Sequence, residues 1–170
     1  NSSQVYEYTL LPTIGTRTPL VYGTNGTSHV GEVADTFGDT VSKAVYWSSD
    51  TSVSFLPEPA GVSNATDSAA LAIDGNSIVG FVSVENNQGL TVEVAALWTS
   101  PSSDPIFLTN SNSVPEDTEA RATAVSNGVQ VGFSNDNADQ EYHAMIWAAG
   151  SSSVPIATTD LHLFLDSQEY

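Results

Sequence analysis

The chain contains no cysteine, so no disulfide staples it and no thiolate can serve as nucleophile or soft metal ligand. It is almost as poor in positive charge. Histidines apart, Arg17, Lys43 and Arg121 are its only cationic side chains, against 20 Asp and Glu, and the formal net charge is −17. Nucleic-acid binding rests on neutralising several phosphates, so this composition excludes it as a partner class. The absence of any polybasic stretch excludes an anionic membrane surface. No apolar run approaches the roughly 18 residues that span a bilayer, so no membrane insertion is expected. Nor does any segment carry a helical period with caps. The first residue is Asn1 rather than Met, which reads as a mature chain after signal removal or as the boundary of an expressed fragment, and the expected location is secreted or at the cell surface.

What is present is enough to fold. Hydrophobic residues make up 40% of 170 residues, which argues against disorder and for a single domain whose core needs no staple. Three markers recur in the same order. Trp47, Trp98 and Trp147 stand 51 and 49 residues apart, and each follows an alanine three positions earlier, in KAVYW, VAALW and HAMIW. Val-Gly pairs end at Gly31, Gly80 and Gly132. The stretches before the first two pairs, VYGTNGTSHVG and ALAIDGNSIVG, align without a gap, and TAVSNGVQVG is one residue shorter. VSFL, PIFL and VPIA follow the three tryptophans. A period of about 50 residues held by three ordered markers points to a repeat architecture.

Each marker reads as a strand. The runs are short and rich in valine, isoleucine, threonine and aromatics, and Gly, Asn, Asp and Ser bound them. TNG, IDGN and SNG read as hairpin turns, because Asn-Gly and Asp-Gly tolerate positive φ. The expectation is an all-β domain of about three four-stranded antiparallel repeats, arranged as propeller-like blades. Within it the tryptophans pack between neighbouring blades. The small Ala and Gly residues let sheets or backbones approach closely. Counted from the Ala-x-x-Trp strand, the chain divides into a partial repeat at 4–34, repeats at 43–84 and 92–134, and a partial repeat at 141–165. The first partial repeat carries expected strands at 4–11, 18–24 and 28–34. The last includes the apolar run LHLFL at 161–165. Closed propellers hold about 4–8 blades, so three should not close alone. Either chains associate through the incomplete repeats at both ends, as a shared ring or, where the contact does not close, as a filament, or the repeats are not propeller blades.

His143-Ala144-Met145-Ile146-Trp147 resembles the His-Ala-Phe-x-Trp signature of the HAF repeats of extracellular bacterial proteins. Ala70-Leu71-Ala72-Ile73-Asp74-Gly75-Asn76-Ser77-Ile78-Val79-Gly80-Phe81 is similar to the segment that precedes the signature there, and YEYTLLPTIG (6–15) resembles the strand before the first repeat. The resemblance implies a secreted, propeller-like β-repeat protein without assigned chemistry. The signature histidine stands in the third copy alone, with Lys43 and Val94 in the others, so it is no repeated ligand.

Chemistry is sparse. There is no G-x-S-x-G elbow, and nothing sets His29, His143 or His162 beside a serine and an acid. Carboxylates are too abundant to single out a glycosidase pair. Two arginines do not make a sialidase-type carboxylate clamp, and no zinc-ligand spacing occurs. Asp136, Asn137, Asp139 and Glu141 form the best calcium candidate, since alternating oxygen ligands suit a hard cation. A solvated acidic turn is the preferred reading of them, and Glu116-Asp117-Thr118-Glu119 is a weaker candidate. Sequons at Asn1, Asn25 and Asn64 are candidate glycosylation sites. The expectation is not an enzyme but a secreted structural or interaction protein whose partner is another copy of itself. The alternative is a module that binds a glycan or another surface protein, with calcium as a candidate aid. A hydrolase on the same scaffold has no motif behind it.

Overall fold

The computed structural model describes residues 8–34, 41–60, 67–86, 88–108, 118–136, 141–148 and 157–160. These form twelve strands in three four-stranded antiparallel sheets, with no helix among the described residues. The first sheet contains β1 (Thr18–Thr24), β2 (His29–Ala34), β3 (Ser42–Ser49) and β4 (Ser52–Phe55). The second contains β5 (Asp67–Asp74), β6 (Ser77–Glu85), β7 (Thr91–Trp98) and β8 (Ile106–Phe107). The third contains β9 (Thr118–Ser126), β10 (Val129–Asp136), β11 (Glu141–Ala148) and β12 (Ala157–Asp160). In every sheet the strands lie in chain order, each paired with its successor, and no sheet closes on itself.

The hydrogen-bonded units are offset in phase from the repeats counted above. Each sheet opens with the strand before the Asn/Asp-Gly turn and ends with the strand after the tryptophan. Residues 42–55 thus complete the sheet of residues 18–34 instead of opening a new one. At the N-terminus, residues 8–11 are not a strand but an arm running along the first sheet, and residues 4–7 lie outside the described residues. So does LHLFL at 161–165.

Local chemistry explains the hairpins. Gly26, Gly75 and Gly128 all have positive φ, at 96°, 57° and 78°, and Asn127 joins them at 50°. These are the left-handed conformations that Gly and Asn adopt at least cost. The Val-Gly glycines have a different cause. A Cβ on Gly31, Gly80 or Gly132 would stand 1.8, 1.9 and 1.9 Å from the carbonyl oxygens of Leu20, Ala69 and Arg121. In each sheet this is where the ladder with the first strand slips register, so the bulged strand fills the space a side chain would need. The close approach expected of these glycines is therefore made within one sheet, to the adjacent strand, and not between sheets.

The sheets stack in chain order. β5 packs against β1, β2 and β3, and β9 packs against β5, β6 and β7. Val30, Ala44 and Leu56 of the first sheet side meet Ile78, Val82, Val94 and Trp98 of the second. Val79, Ala95 and Leu97 on the other face of the second sheet meet Ala120, Ala122, Met145 and Trp147 of the third. The middle sheet is buried on both faces, which is why β6 reads SIVGFVSV with little polar alternation. A third cluster, Val33, Val45 and Trp47, lies on the outer face of the first sheet under Leu11 and Ile14 of the arm.

Candidate functional site

The junctions between sheets share a construction. Trp98 is fully buried, and its Nε1 donates to the carbonyl of Pro57, just past β4, at 2.8 Å. Trp47 does the same to Pro12 of the arm, at 2.9 Å. Trp147 is buried in the junction of the second and third sheets. A buried indole N–H needs such an acceptor, so the Trp98 bond locks the segment after β4 onto the second sheet, and the Trp47 bond locks the arm onto the first, where Trp47 lies under the arm rather than between two sheets. Successive turns also touch. Asn25 Nδ2 donates to Gly75 O at 3.1 Å, and Asn127 N donates to Asp74 Oδ2 at 2.7 Å.

Polar side chains reinforce these contacts. At the start of β5, Asp67 and Ser68 accept the N–H groups of Ser42 and Ala44. Arg121 pairs with Glu93 across the second junction, with Nη2 to Oε1 at 2.8 Å, and its guanidinium lies 4.4 Å from the ring centroid of Phe81. The bond to Glu93 raises the Arg121 pKa further. Near the first junction, the Tyr22 hydroxyl donates to Glu32 at 2.9 Å. Burial pushes the Glu32 carboxyl above its usual range. The Tyr22 bond opposes this, and the Asp67 charge adds to it.

The two ends of the stack differ. At the first end the arm covers Val33, Val45 and Trp47. At the other, nothing among the described residues covers the outer face of the third sheet. Antiparallel partners share a face, which places Val131 beside Ile146 and Ala124, and Phe133 beside Ala144. By the Val-Gly marker Val131 corresponds to Val30 and Val79, which are 0% exposed beneath the next sheet, whereas Val131 is 39% exposed. Val129 and Tyr142 are exposed nearby, and Tyr142 meets the Phe133 ring edge-on at 5.4 Å and donates to Glu119 at 3.0 Å.

A cavity of about 310 Å³ opens on the first sheet, lined by Arg17, Lys43, Phe55, Leu56 and Glu58. It gathers two of the three Lys and Arg side chains of the protein. The Arg17 guanidinium stands 5.5 Å from the Phe55 ring centroid, and Lys43 is ion-paired to Glu58. Its wall is apolar at Phe55 and Leu56, with Arg17 and the Lys43–Glu58 pair beside it. No motif in the sequence joins these residues, because they come from β3, β4 and the segments before β1 and after β4.

The remaining candidates fall as follows. Asp136 ends β10 and is paired in register with Glu141 at the start of β11, while Asn137 and Asp139 lie outside the described residues. Among the described residues no three His, Asp or Glu side chains gather to hold a metal ion. Of the second acidic candidate, Glu116 and Asp117 lie outside the described residues, and Glu119 accepts the Tyr142 bond. Asn25 is exposed at its turn, where its Oδ1 accepts the Ser28 N–H at 2.9 Å, and Asn1 and Asn64 lie outside the described residues. His29 stands on β2 and His143 on β11, in different sheets, and His162 lies outside the described residues. Among the described residues no helix is long and apolar enough to cross a membrane. Comparison with family models, characterised proteins and solved structures finds no match for this chain.

Proposed function

We propose that this protein is a secreted or cell-surface structural module that associates with copies of itself, its sheets acting as propeller-like blades that continue from one chain to the next. The observation that carries this reading is the exposure of Val131, whose counterparts in the first two sheets are fully buried by a following sheet. An apolar face that the same fold covers twice is expected to be covered a third time, since leaving it wet forfeits about 25 cal/mol per Å² of apolar surface. The resemblance to HAF repeats fits an extracellular repeat protein of this kind. A net charge of −17 opposes contact between copies, so screening should favour it. Light scattering from 0.05 to 1 M NaCl tests the reading. Particle mass should rise with salt, and a monomer throughout would overturn it.

A second reading rests on the cavity at Arg17, Lys43 and Phe55. A module that binds an acidic glycan, or a carboxylate on another surface protein, would set that carboxylate beside Arg17 and in place of Glu58 at Lys43, with Phe55 for apolar contact. Binding of uronate-containing oligosaccharides that Arg17→Ala abolishes would favour it. No binding across a glycan array would remove it.

A further inference from the structure

We infer that the open face of the third sheet is the docking site for the N-terminal end of a second copy of this chain, joined head to tail with the Asn127 turn of one copy against the Asn25 turn of the next. This rests on the self-association proposed above and specifies its geometry.

The arm supplies the first argument. Leu10-Leu11-Pro12 repeats Phe55-Leu56-Pro57. Both prolines offer their carbonyl to the tryptophan of the sheet that follows. Leu56 is buried in the first junction, and Leu11 packs on the third cluster. Within the chain, Phe55-Leu56-Pro57 is the end of a preceding sheet. The arm therefore holds, on the first sheet, the position that the end of a preceding sheet holds on the second. The first sheet is built to follow another sheet, and the third is built to precede one. Tyr8 and Leu10 are 88% and 83% exposed, the highest values among the large apolar side chains described. Among the described residues nothing covers them.

The turns supply register. The first turn meets the second through Asn25 and Gly75, and the second meets the third through Asp74 and Asn127. Continuing that line brings the third turn of one copy to the first turn of the next. A contact of this kind joins two different patches, so it leaves a new free patch at each end and adds copies in one direction.

The absence of cysteine makes the test clean. Ser126 and Thr27 are exposed residues of the third and first turns. Ser126→Cys and Thr27→Cys chains, mixed at high salt and oxidised mildly, should give a mixed disulfide in preference to either self-dimer. Val131→Glu should weaken association roughly tenfold or more, and Tyr8→Ser with Leu10→Ser should weaken it by a similar factor. Circular dichroism would show that the variants keep their sheets. If the unmodified chain assembles but the mixed disulfide does not form and Val131→Glu assembles normally, this geometry is wrong and self-association stands. If the unmodified chain stays monomeric at every salt concentration, both fail.

Discussion

Replacing Gly80 with alanine should damage the fold more than replacing Gly75, although Gly75 alone of the two has a positive φ. A Cβ at Gly75 meets nothing within 4 Å, so the change is limited to holding alanine at φ 57°. That costs about 1 kcal/mol. A Cβ at Gly80 would lie 1.9 Å from Ala69 O, 2.9 Å from Ala69 C and 3.0 Å from Ala70 Cα. All three are backbone atoms of β5, so no side chain can rotate away. β6 is laddered to β5 on one side and β7 on the other, and its two faces are buried. Relief requires the β5–β6 ladder to open by more than about 1 Å in a close-packed interior, at the upper end of overpacking costs, ~3 kcal/mol. With a urea slope of about 2 kcal/mol per molar, the midpoint should fall by ~1.5 M for Gly80→Ala and ~0.5 M for Gly75→Ala. Tryptophan fluorescence during equilibrium urea unfolding measures both, since the tryptophans are buried. Gly31→Ala and Gly132→Ala meet the same clash and should rank with Gly80→Ala. A smaller midpoint shift for Gly80→Ala than for Gly75→Ala would refute the bulge argument.

Other substitutions probe the junctions. Trp98→Phe leaves the Pro57 carbonyl without its donor and should lower stability by ~1–3 kcal/mol, read in the same urea titration. Trp47→Phe should instead release the arm, so that limited proteolysis cuts near Pro12 sooner while the sheets persist. Glu32→Gln tests the half-buried carboxyl. A pKa raised in the folded state means that stability is fullest below the unfolded value and is lost as pH rises through the folded one. The variant, which can still accept the Tyr22 bond, should therefore be more stable than the parent at neutral pH. The gain should vanish as pH falls through the carboxylate range. A gain that is constant with pH would point to packing as its cause.

The strands and their turns were legible because each depends on short-range chemistry. Asn-Gly and Asp-Gly mark positive φ wherever they occur, and Trp47, Trp98 and Trp147 keep their spacing because each sheet needs one anchor. The all-β class follows from the same residues. The phase of the sheets was not legible. A periodic sequence has the same spacings wherever counting starts, and the choice is made by which strands find a free edge in space. That is how 42–55 came to complete the first sheet. The arm is a related case. Its residues 8–11 have the composition of a strand, but a strand exists only where a neighbour accepts its hydrogen bonds, and within the described chain none does. The glycines of the Val-Gly pairs were visible as markers, yet the carbonyl that demands them belongs to a strand about ten residues away and is placed there by a bulge. The cavity at Arg17, Lys43 and Phe55 and the open face at Val131 were decided only by tertiary structure. Local preference sets the backbone of each strand, while which surface is buried depends on which strands and segments pack over it.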